Sequence, residues 1–399
     1  MSGNQAGHVL TVNGGSSSIK FALYSTDRAA QALLIGKIDR IGMSGTRLSV
    51  DDPTRPERDS LAILAPDHRS AGTILMDWVA QRVGFASMRA VGHRVVHGGA
   101  RYSGPQRVTQ ELLDELRRIS PYDPEHLPAE IELIEVVRRR YPDLVQVACF
   151  DTAFHRTMPR VARMLALPRR FDAIGVQRYG FHGLSYAYLV EALARVAGVE
   201  AAHGRVLLAH LGNGASLAAV RGGDSIETSM GFTPTAGLPM GTRSGDLDPG
   251  LVWYLMRTEQ MTAKQFHDLV NHRSGLLGVS EISSDMRDLL ASRETDVRAA
   301  EAVALFCYQV KKWIGAFAAA LNGLDTLVFS GGIGEHAPEV RERICAGLEF
   351  LGVQLDGVRN AANAPVISTD PSPVTVRVIP TNEELMIARA TCRLLERNV

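Results

Sequence analysis

The chain has 399 residues, enough for two domains with buried cores, and 43 basic residues against 43 acidic ones give a formal charge of zero. That balance gives no electrostatic case for nucleic acid or an anionic membrane as partner. Its four cysteines stand far apart with no C-x-x-C pair, no stretch reaches about 18 apolar residues, and residues 1–8 lack a signal-peptide core, so a soluble protein of a reducing cytoplasm is expected.

Val9 to Tyr24 (VLTVNGGSSSIKFALY) reads as a strand, an Asn-Gly-Gly turn with a run of hydroxyls, and a second strand. Gly36 to Val50 and Ser60 to Leu64 read as strands, separated by a polar loop from Asp51 to Asp59 marked by Pro53 and Pro56. Ala71 to Val83 has helical spacing, Ala90 to His97 is a buried strand, and Gln110 to Ile119 and Pro128 to Arg140 are amphipathic helices. The Arg138 to Arg140 run is a solvated helix end favoured by the dipole. Leu144 to Phe150 is a strand with Asp151 at its carboxyl end, where ligand-facing groups of α/β sheets gather; a helix N-cap is the alternative for that aspartate.

Leu184 to Ala197 reads as a helix, and Leu207 to Val220 as a second strand pair about the turn Gly212-Asn213-Gly214. An ordinary hairpin explains this pair alone. Gly231, Gly237, Gly241, Gly245 and Gly250 then surround Arg243, Asp246 and Asp248, a glycine density suited to backbone folded closely about a phosphate. Leu251 to Met256 and Ala263 to Asn271 are helical, Ser274 to Asp285 is a loop, and Ala299 to Leu321 is a long helix. A strand at Leu327 to Phe329, a helix at Pro338 to Leu351, a strand at Thr375 to Ile379 and a helix at Leu385 to Leu395 complete the chain. Two strand–Asn/Gly turn–serine–strand units about 200 residues apart suggest duplicated halves.

The motifs TVNGGSSSIKF, GHRVVHGG, CFDTAFHRTMP, RYGFHGLSY, HLGNGAS, GLPMGTRSGDLDPG, SGGIGEH and PTNEEL occur in order almost end to end. Together they resemble the acetokinase family, the short-chain acyl kinases of the acetate and sugar kinase, Hsp70 and actin superfamily. The resemblance implies an α/β fold of two duplicated actin-like, ribonuclease H-like ATPase domains with a nucleotide cleft between them. It divides the chain into residues 1–150 plus 382–399, closed by the last helix, and a nucleotide-binding domain of residues 151–381.

The activity implied is reversible, magnesium-dependent (or manganese-dependent) transfer of the ATP γ-phosphoryl group to acetate, giving acetyl phosphate and ADP, in a homodimer. Propionate or another short-chain carboxylate is the alternative acid. An actin- or Hsp70-like ATPase switch is the alternative in a different class. By the same resemblance, Asp151, His182, Arg243 and Arg94 are catalytic, and Lys20, Arg94 and Val96 lie on the acid side. Asn13 and Glu383 are magnesium-associated, with Glu384 the neighbour that could be confused with Glu383. Nucleotide positions are His210, Leu211, Gly212, Asn213, Gly214, Asp285, Met286, Arg287, Gly332, Ile333, Gly334, Glu335 and His336.

The residue types suit these roles. Arg94 interrupts an apolar strand and Arg243 sits in the densest glycine stretch, each offering a planar fork to phosphoryl or carboxylate oxygens. Lys20 is one of only five lysines. Val96, two residues after Arg94, would share its face of a strand. His182 alone reads as a hydrogen-bonded loop residue, and His93, His97 and His155 as structural. GGIGE lacks the spacing of a dinucleotide fingerprint after Gly334. Three positions depart from the family: the segment Ser120 to His126, where Asp123 or a shifted His126 replaces the usual histidine, and Glu281 and His336, expected near the base.

Overall fold

A computed structural model describes residues 7–15, 17–26, 32–52, 59–84 and 87–396. Ser16, Pro53 and Pro56 lie outside these residues. The chain divides into two compact units, Met1–Ala153 with Asn382–Val399, and Phe154–Thr381. Asp151 therefore belongs to the first.

The first unit holds an eight-stranded sheet: β1 (His8–Gly14), β2 (Ser18–Ser25), β3 (Ala32–Asp39), β4 (Arg47–Asp51), β5 (Asp59–Ala62), β6 (Met88–Val95), β7 (Gln106–Arg107) and β8 (Val145–Phe150). Their order is β5-β4-β3-β2-β1-β6-β8-β7. The second unit holds β9 (Arg205–Leu211), β10 (Ala215–Arg221), β11 (Asp224–Thr228), β12 (Thr326–Ser330) and β13 (Thr375–Val378), in the order β11-β10-β9-β12-β13. In each sheet an antiparallel meander is extended by two parallel strands: β3-β2-β1 by β6 and β8, and β11-β10-β9 by β12 and β13. This is the duplicated actin-like plan.

The central strands are apolar on both faces because both faces are covered. In the second unit Val206 and Leu208 of β9, Ala218 and Val220 of β10 and Val328 of β12 pack with Tyr186, Leu189 and Leu193 of the Gly183–Ala197 helix. Leu207 and Ala209, alternating with them, are equally buried, and the Val297–Leu321 helix packs on β9 and β10. In the first unit the His68–Val83 and Leu127–Arg140 helices pack together, with Leu75, Met76, Leu133 and Val136 in one core with Leu10, Ile19 and Phe21. The last helix, Glu383–Glu396, lies on β1, β6 and β8. It comes close because Gly92 of β6 has no side chain; a Cβ there would stand 2.4 Å from Thr391 Oγ1.

Four expectations change. Gly36 to Val50 is two strands, because Arg40, Gly42 and Gly45 all have positive φ and Thr46 Oγ1 donates to the Arg40 carbonyl, closing a turn. The Ser274 to Asp285 stretch contains a helix, Gly275–Ser280. The helix from Pro338 stops at Cys345, because Gly347 is left-handed (φ 81°) before a short 3-10 turn, Glu349–Leu351. Val96 lies just past the end of β6, so strand alternation with Arg94 does not apply to it. No helix among the described residues is long and apolar enough to cross a membrane.

Candidate active site

In the first unit Arg94, near the carboxyl end of β6, joins three elements. Its Nε and Nη2 both donate to Asp151 Oδ2 (2.9 and 2.6 Å), and its Nη1 donates to the Gly14 carbonyl at the β1–β2 turn (3.1 Å) and to Glu130 Oε1 (3.2 Å). These four bonds occupy four of the five guanidinium N–H groups, leaving one on Nη2. Asp151 is anchored by its own N–H to the Val95 carbonyl, continuing the β8–β6 pairing by one residue. Its Oδ1 is buried with no hydrogen-bond partner among the described residues. Burial pushes the Asp151 carboxyl up, against the pull of Arg94 and with the help of Glu383. Burial works against the Arg94 charge, but Asp151 and Glu130 outweigh it and hold the guanidinium protonated.

Glu130 was not foreseen. Its second oxygen accepts from the Val96 N–H (2.8 Å), so one buried carboxylate sets both the Arg94 fork and the backbone of Val96. Burial pushes it up to about 8 despite Arg94. The signal was available: Leu127, Glu130, Ile131 and Ile134 share one buried helix stripe, and a lone acid there needs a cation. Val96 is buried at 1% exposure. Nearby, Asp123 is buried and accepts from the His126 backbone N–H (3.1 Å), with its Oδ1 2.9 Å from the His126 ring, so the altered segment supplies both residues as one pair.

Asn13, next to the β1–β2 turn, donates its amide to Glu383 Oε2 (3.0 Å) and Glu384 Oε1 (3.4 Å) in the first turn of the last helix. Burial raises Glu384, and the adjacent Glu383 charge raises it further. Lys20 is exposed on β2, paired in register with Asn13 and electrostatically coupled to Glu384. His93 and His155 are buried structural histidines, one bonded to Gln146, the other to Ser225 and the Phe181 carbonyl; burial pushes both down to about 4. Burial also pushes His97 down to about 4.

In the second unit the β9–β10 turn is closed by Gly212 N–H to the Gly214 carbonyl (3.0 Å) and tied by Gly241 N–H to the Asn213 carbonyl (3.0 Å). His182 caps the Gly183–Ala197 helix in a left-handed conformation (φ 57°), strain of the kind found where a side chain must be aimed. A Cβ on Gly214 would lie 3.3 Å from His182 Nε2 and 3.7 Å from Arg243 Nη1, so imidazole and guanidinium converge on the turn. Arg243 is held by its Nη1 to the Pro234 carbonyl (3.3 Å). The loop carrying it packs against Gly275, where a Cβ would stand 2.1 Å from the Met240 carbonyl oxygen and 2.6 Å from that of Arg243.

Beside the turn lies a cavity of about 790 Å³ lined by Gly212, Asn213, Ser284, Asp285, Met286, Arg287, Leu290, Gly332, Ile333, His336, Ala337, Pro338 and Glu339. Ser284, Leu290 and Ala337 to Glu339 are additions to the expected set. Five expected residues do not line it. His210 turns to Ser185 (Nδ1 to Oγ, 2.8 Å), Leu211 is buried, and Gly214 faces His182 and Arg243. Glu335 folds back to accept from Gly331 N–H (2.8 Å) and Thr381 N–H (3.2 Å), and Gly334 offers its carbonyl to Arg341. Arg341, fully buried, also takes the Glu335 carbonyl and so satisfies the carboxyl end of the Gly331–His336 helix; burial lowers it to about 10. Glu281 is left-handed (φ 57°), a conformation that costs glycine least, and it pairs with Arg298 (3.0 Å) and is not among the lining residues.

Glu130→Gln keeps the shape but turns one acceptor into a donor, so either the Arg94 or the Val96 bond is lost. A charge-assisted bond of about 1.5–3 kcal/mol predicts a roughly 10–150-fold lower kcat/KM for the expected acid, with KM for nucleotide little changed. The carboxyl also sets a pH dependence. Its folded value, about 8, lies above the ordinary 4.5, so the fold favours the protonated form. That stabilisation is complete below pH about 4.5 and is lost as pH rises through about 8. The Tm of the Gln variant should therefore gain on the wild type between pH about 5 and about 8.5. A constant gap would contradict this.

The Acetokinase family model matches residues 8–389. An acetate kinase of Rhodopseudomonas palustris (strain TIE-1) is 47% identical over 393 residues, covering 97% of this chain and 98% of its own. The crystal structure of Porphyromonas gingivalis acetate kinase superposes with a TM-score of 0.87 at 38% identity, covering 98% of this chain and all of the other. That of a propionate kinase from Francisella tularensis subsp. tularensis SCHU S4 superposes with a TM-score of 0.90 at 35% identity, covering 96% and 98%. With the duplicated fold, the Arg94–Asp151 pair and the glycine-lined cavity already in place, this chain belongs to the acetokinase family, phosphotransferases that use ATP as substrate.

Proposed function

We propose that this chain is an acetate kinase in which the first unit holds the acid and the second the nucleotide. The observation that carries the reading is the Arg94–Asp151 pair. A guanidinium only 14% exposed keeps one N–H unspent, a buried carboxylate keeps one oxygen unspent, and an apolar residue, Val96, lies two positions along. An ATPase that transfers phosphate only to water has no use for that constellation.

The acid is ionised at neutral pH and needs no base. Its oxygen forms a bond to the γ-phosphorus as the bond to the ADP oxygen breaks, through a loose transition state whose charge lies on the equatorial oxygens. In this reading Arg94, Arg243 and His182 bear on that charge, Asp151 orients Arg94 and the acid, and Lys20 adds positive charge on the acid side. Nucleotide phosphates meet the Gly212 to Gly214 turn, with adenine and ribose in the cavity against Asp285 to Arg287, Gly332, Ile333 and His336. Magnesium, with manganese as a substitute, would be held by Asn13 and Glu383 and would neutralise phosphate charge. A nucleotide-borne magnesium keeps several waters and needs only one or two protein oxygens, and adjacent carboxylates at Glu383 and Glu384 favour a cation there.

We further propose a homodimer. The Pro249–Thr258 helix buries none of its residues although it carries Leu251, Val252, Trp253, Tyr254, Leu255 and Met256. Light scattering should give twice the chain mass for wild type and a shift toward one chain mass for Trp253→Glu; a monomeric wild type would rule this out.

An ATP-dependent hydroxamate signal that requires acetate tests the function; equal ATP hydrolysis with and without acid would instead favour a switch. In the same assay Arg243→Ala should lower kcat by roughly 10²–10³, the effect of losing a preorganised donor, and Arg243→Lys should recover little. Glu383→Ala should raise the magnesium requirement. A shift seen with Glu384→Ala alone would move that assignment by one residue.

Acyl length tests the pocket. One methylene in an apolar pocket is worth about 1–3 kcal/mol, or ~10–200-fold, so propionate should be used less well than acetate. Val96→Ala should shrink or reverse the preference. A wild type that prefers propionate or butyrate would overturn acetate as the substrate and leave the acyl kinase.

A further inference from the structure

His182 and His210 stack with ring centroids 4.3 Å apart, and each ring meets a serine through Nδ1: His182 meets Ser216 Oγ at 2.8 Å and His210 meets Ser185 Oγ at 2.8 Å. Each serine is backed by a second hydroxyl, Tyr186 for Ser216 and Thr381 for Ser185. Ser216 faces His210 directly across the β9–β10 ladder, and Ser185 and Tyr186 are neighbours on the helix that His182 caps. The mechanism above uses His182 but not these hydroxyls.

Counting protons along Tyr186–Ser216–His182 leaves one arrangement. Tyr186 and Ser216 are both fully buried, and the Tyr186 hydroxyl has Ser216 Oγ as its hydrogen-bond partner. A phenol carries one proton and a serine hydroxyl carries one proton with two lone pairs. If Nδ1 of His182 carried a proton and donated it, the Ser216 proton would have to go to Tyr186, and the buried phenolic proton would have no acceptor. If both neighbours donated to Ser216, the serine proton would be stranded instead. Only when Tyr186 donates to Ser216 and Ser216 donates to Nδ1 do both buried hydroxyl protons have an acceptor, and a buried donor without one is disfavoured.

We propose that Tyr186 and Ser216 are positioning residues that hold His182 as the neutral tautomer with its proton on Nε2. Nε2 is the nitrogen that faces Gly214. A hydrogen-bond donor is thus aimed at the turn proposed for phosphate, where charge on the equatorial oxygens develops. The surroundings agree with a neutral ring: the imidazole of His210 covers one face and the Arg243 guanidinium approaches the same turn, so a second positive charge there would be repelled. The proposal rests on the phosphoryl-transfer reading for its purpose, but not for its tautomer.

The test is nitrogen-15 and carbon-13 NMR of the full-length chain labelled at histidine, with the His182 signals identified by their loss in His182→Gln. The wild type is expected to show Nδ1 as an unprotonated acceptor and Nε2 as protonated. Ser216→Ala and Tyr186→Phe should each yield a mixture of tautomers, and Ser216→Thr should restore the wild-type pattern. Phe at 186 keeps the ring contacts to Phe154 and His155, so loss of the hydroxyl is separated from loss of packing. In the hydroxamate assay Ser216→Ala should lower kcat about tenfold with KM for ATP and acetate changed less than about twofold, and Ser216→Thr should recover most of it. A wild-type His182 protonated on Nδ1, or a tautomer unmoved by both hydroxyl deletions, would overturn the proposal. The spectra report on the relay even if no acyl transfer is found, so the failure of one reading is distinguishable from the failure of the other.

Discussion

One guanidinium organises the first unit. Arg94 is shared by two buried carboxylates and a backbone carbonyl, and those partners come from the end of β8, the Leu127–Arg140 helix and the β1–β2 turn. Burial is the main reason both carboxyls are raised, and nearby negative charge adds to it, Glu383 for Asp151 and Asp123 with Asp151 for Glu130. Such a network specifies geometry more than it stabilises, because desolvating its charged groups offsets most of their attraction. What it secures is direction. Both Arg94 nitrogens on the Asp151 side use a single oxygen, and the other accepts no hydrogen bond from the described residues.

The two units use one strand plan for different ends. In the first, the residue before the hairpin turn, Asn13, meets the carboxylates at the start of the closing helix. In the second, the equivalent turn is bare glycine and asparagine, and a histidine and an arginine come to it from elsewhere in the chain. The first turn gathers negative charge and the second gathers hydrogen-bond donors.

The residues proposed for the chemistry are each held by a neighbour with no proposed contact to the substrates. Glu130 holds Arg94 and the backbone of Val96, the Ser216 and Tyr186 hydroxyls hold His182, and Arg341 holds the end of the helix that walls the cavity. Each is buried and each satisfies a polar group that would otherwise be orphaned.

The amino-acid sequence by itself determined the paired hairpins, their turns, most helices, the family, and the placement of Asp151 at a strand end. These are short-range matters of hydrophobic period, glycine and asparagine at turns, and ordered motifs, each contained in a few residues. Tertiary structure decided which side chains meet. Glu130 lies 36 residues from Arg94, and Glu383 lies 370 from Asn13. No local pattern encodes such distances; the sheet order and the helix packed against Gly92 do. The same holds for the errors of detail. Val96 leaves the strand before alternation can reach it, Glu335 turns inward to cap Gly331, and Glu281 owes its position to a left-handed backbone. In each case a backbone hydrogen bond, a strand end or a dihedral angle placed the residue where its type alone did not.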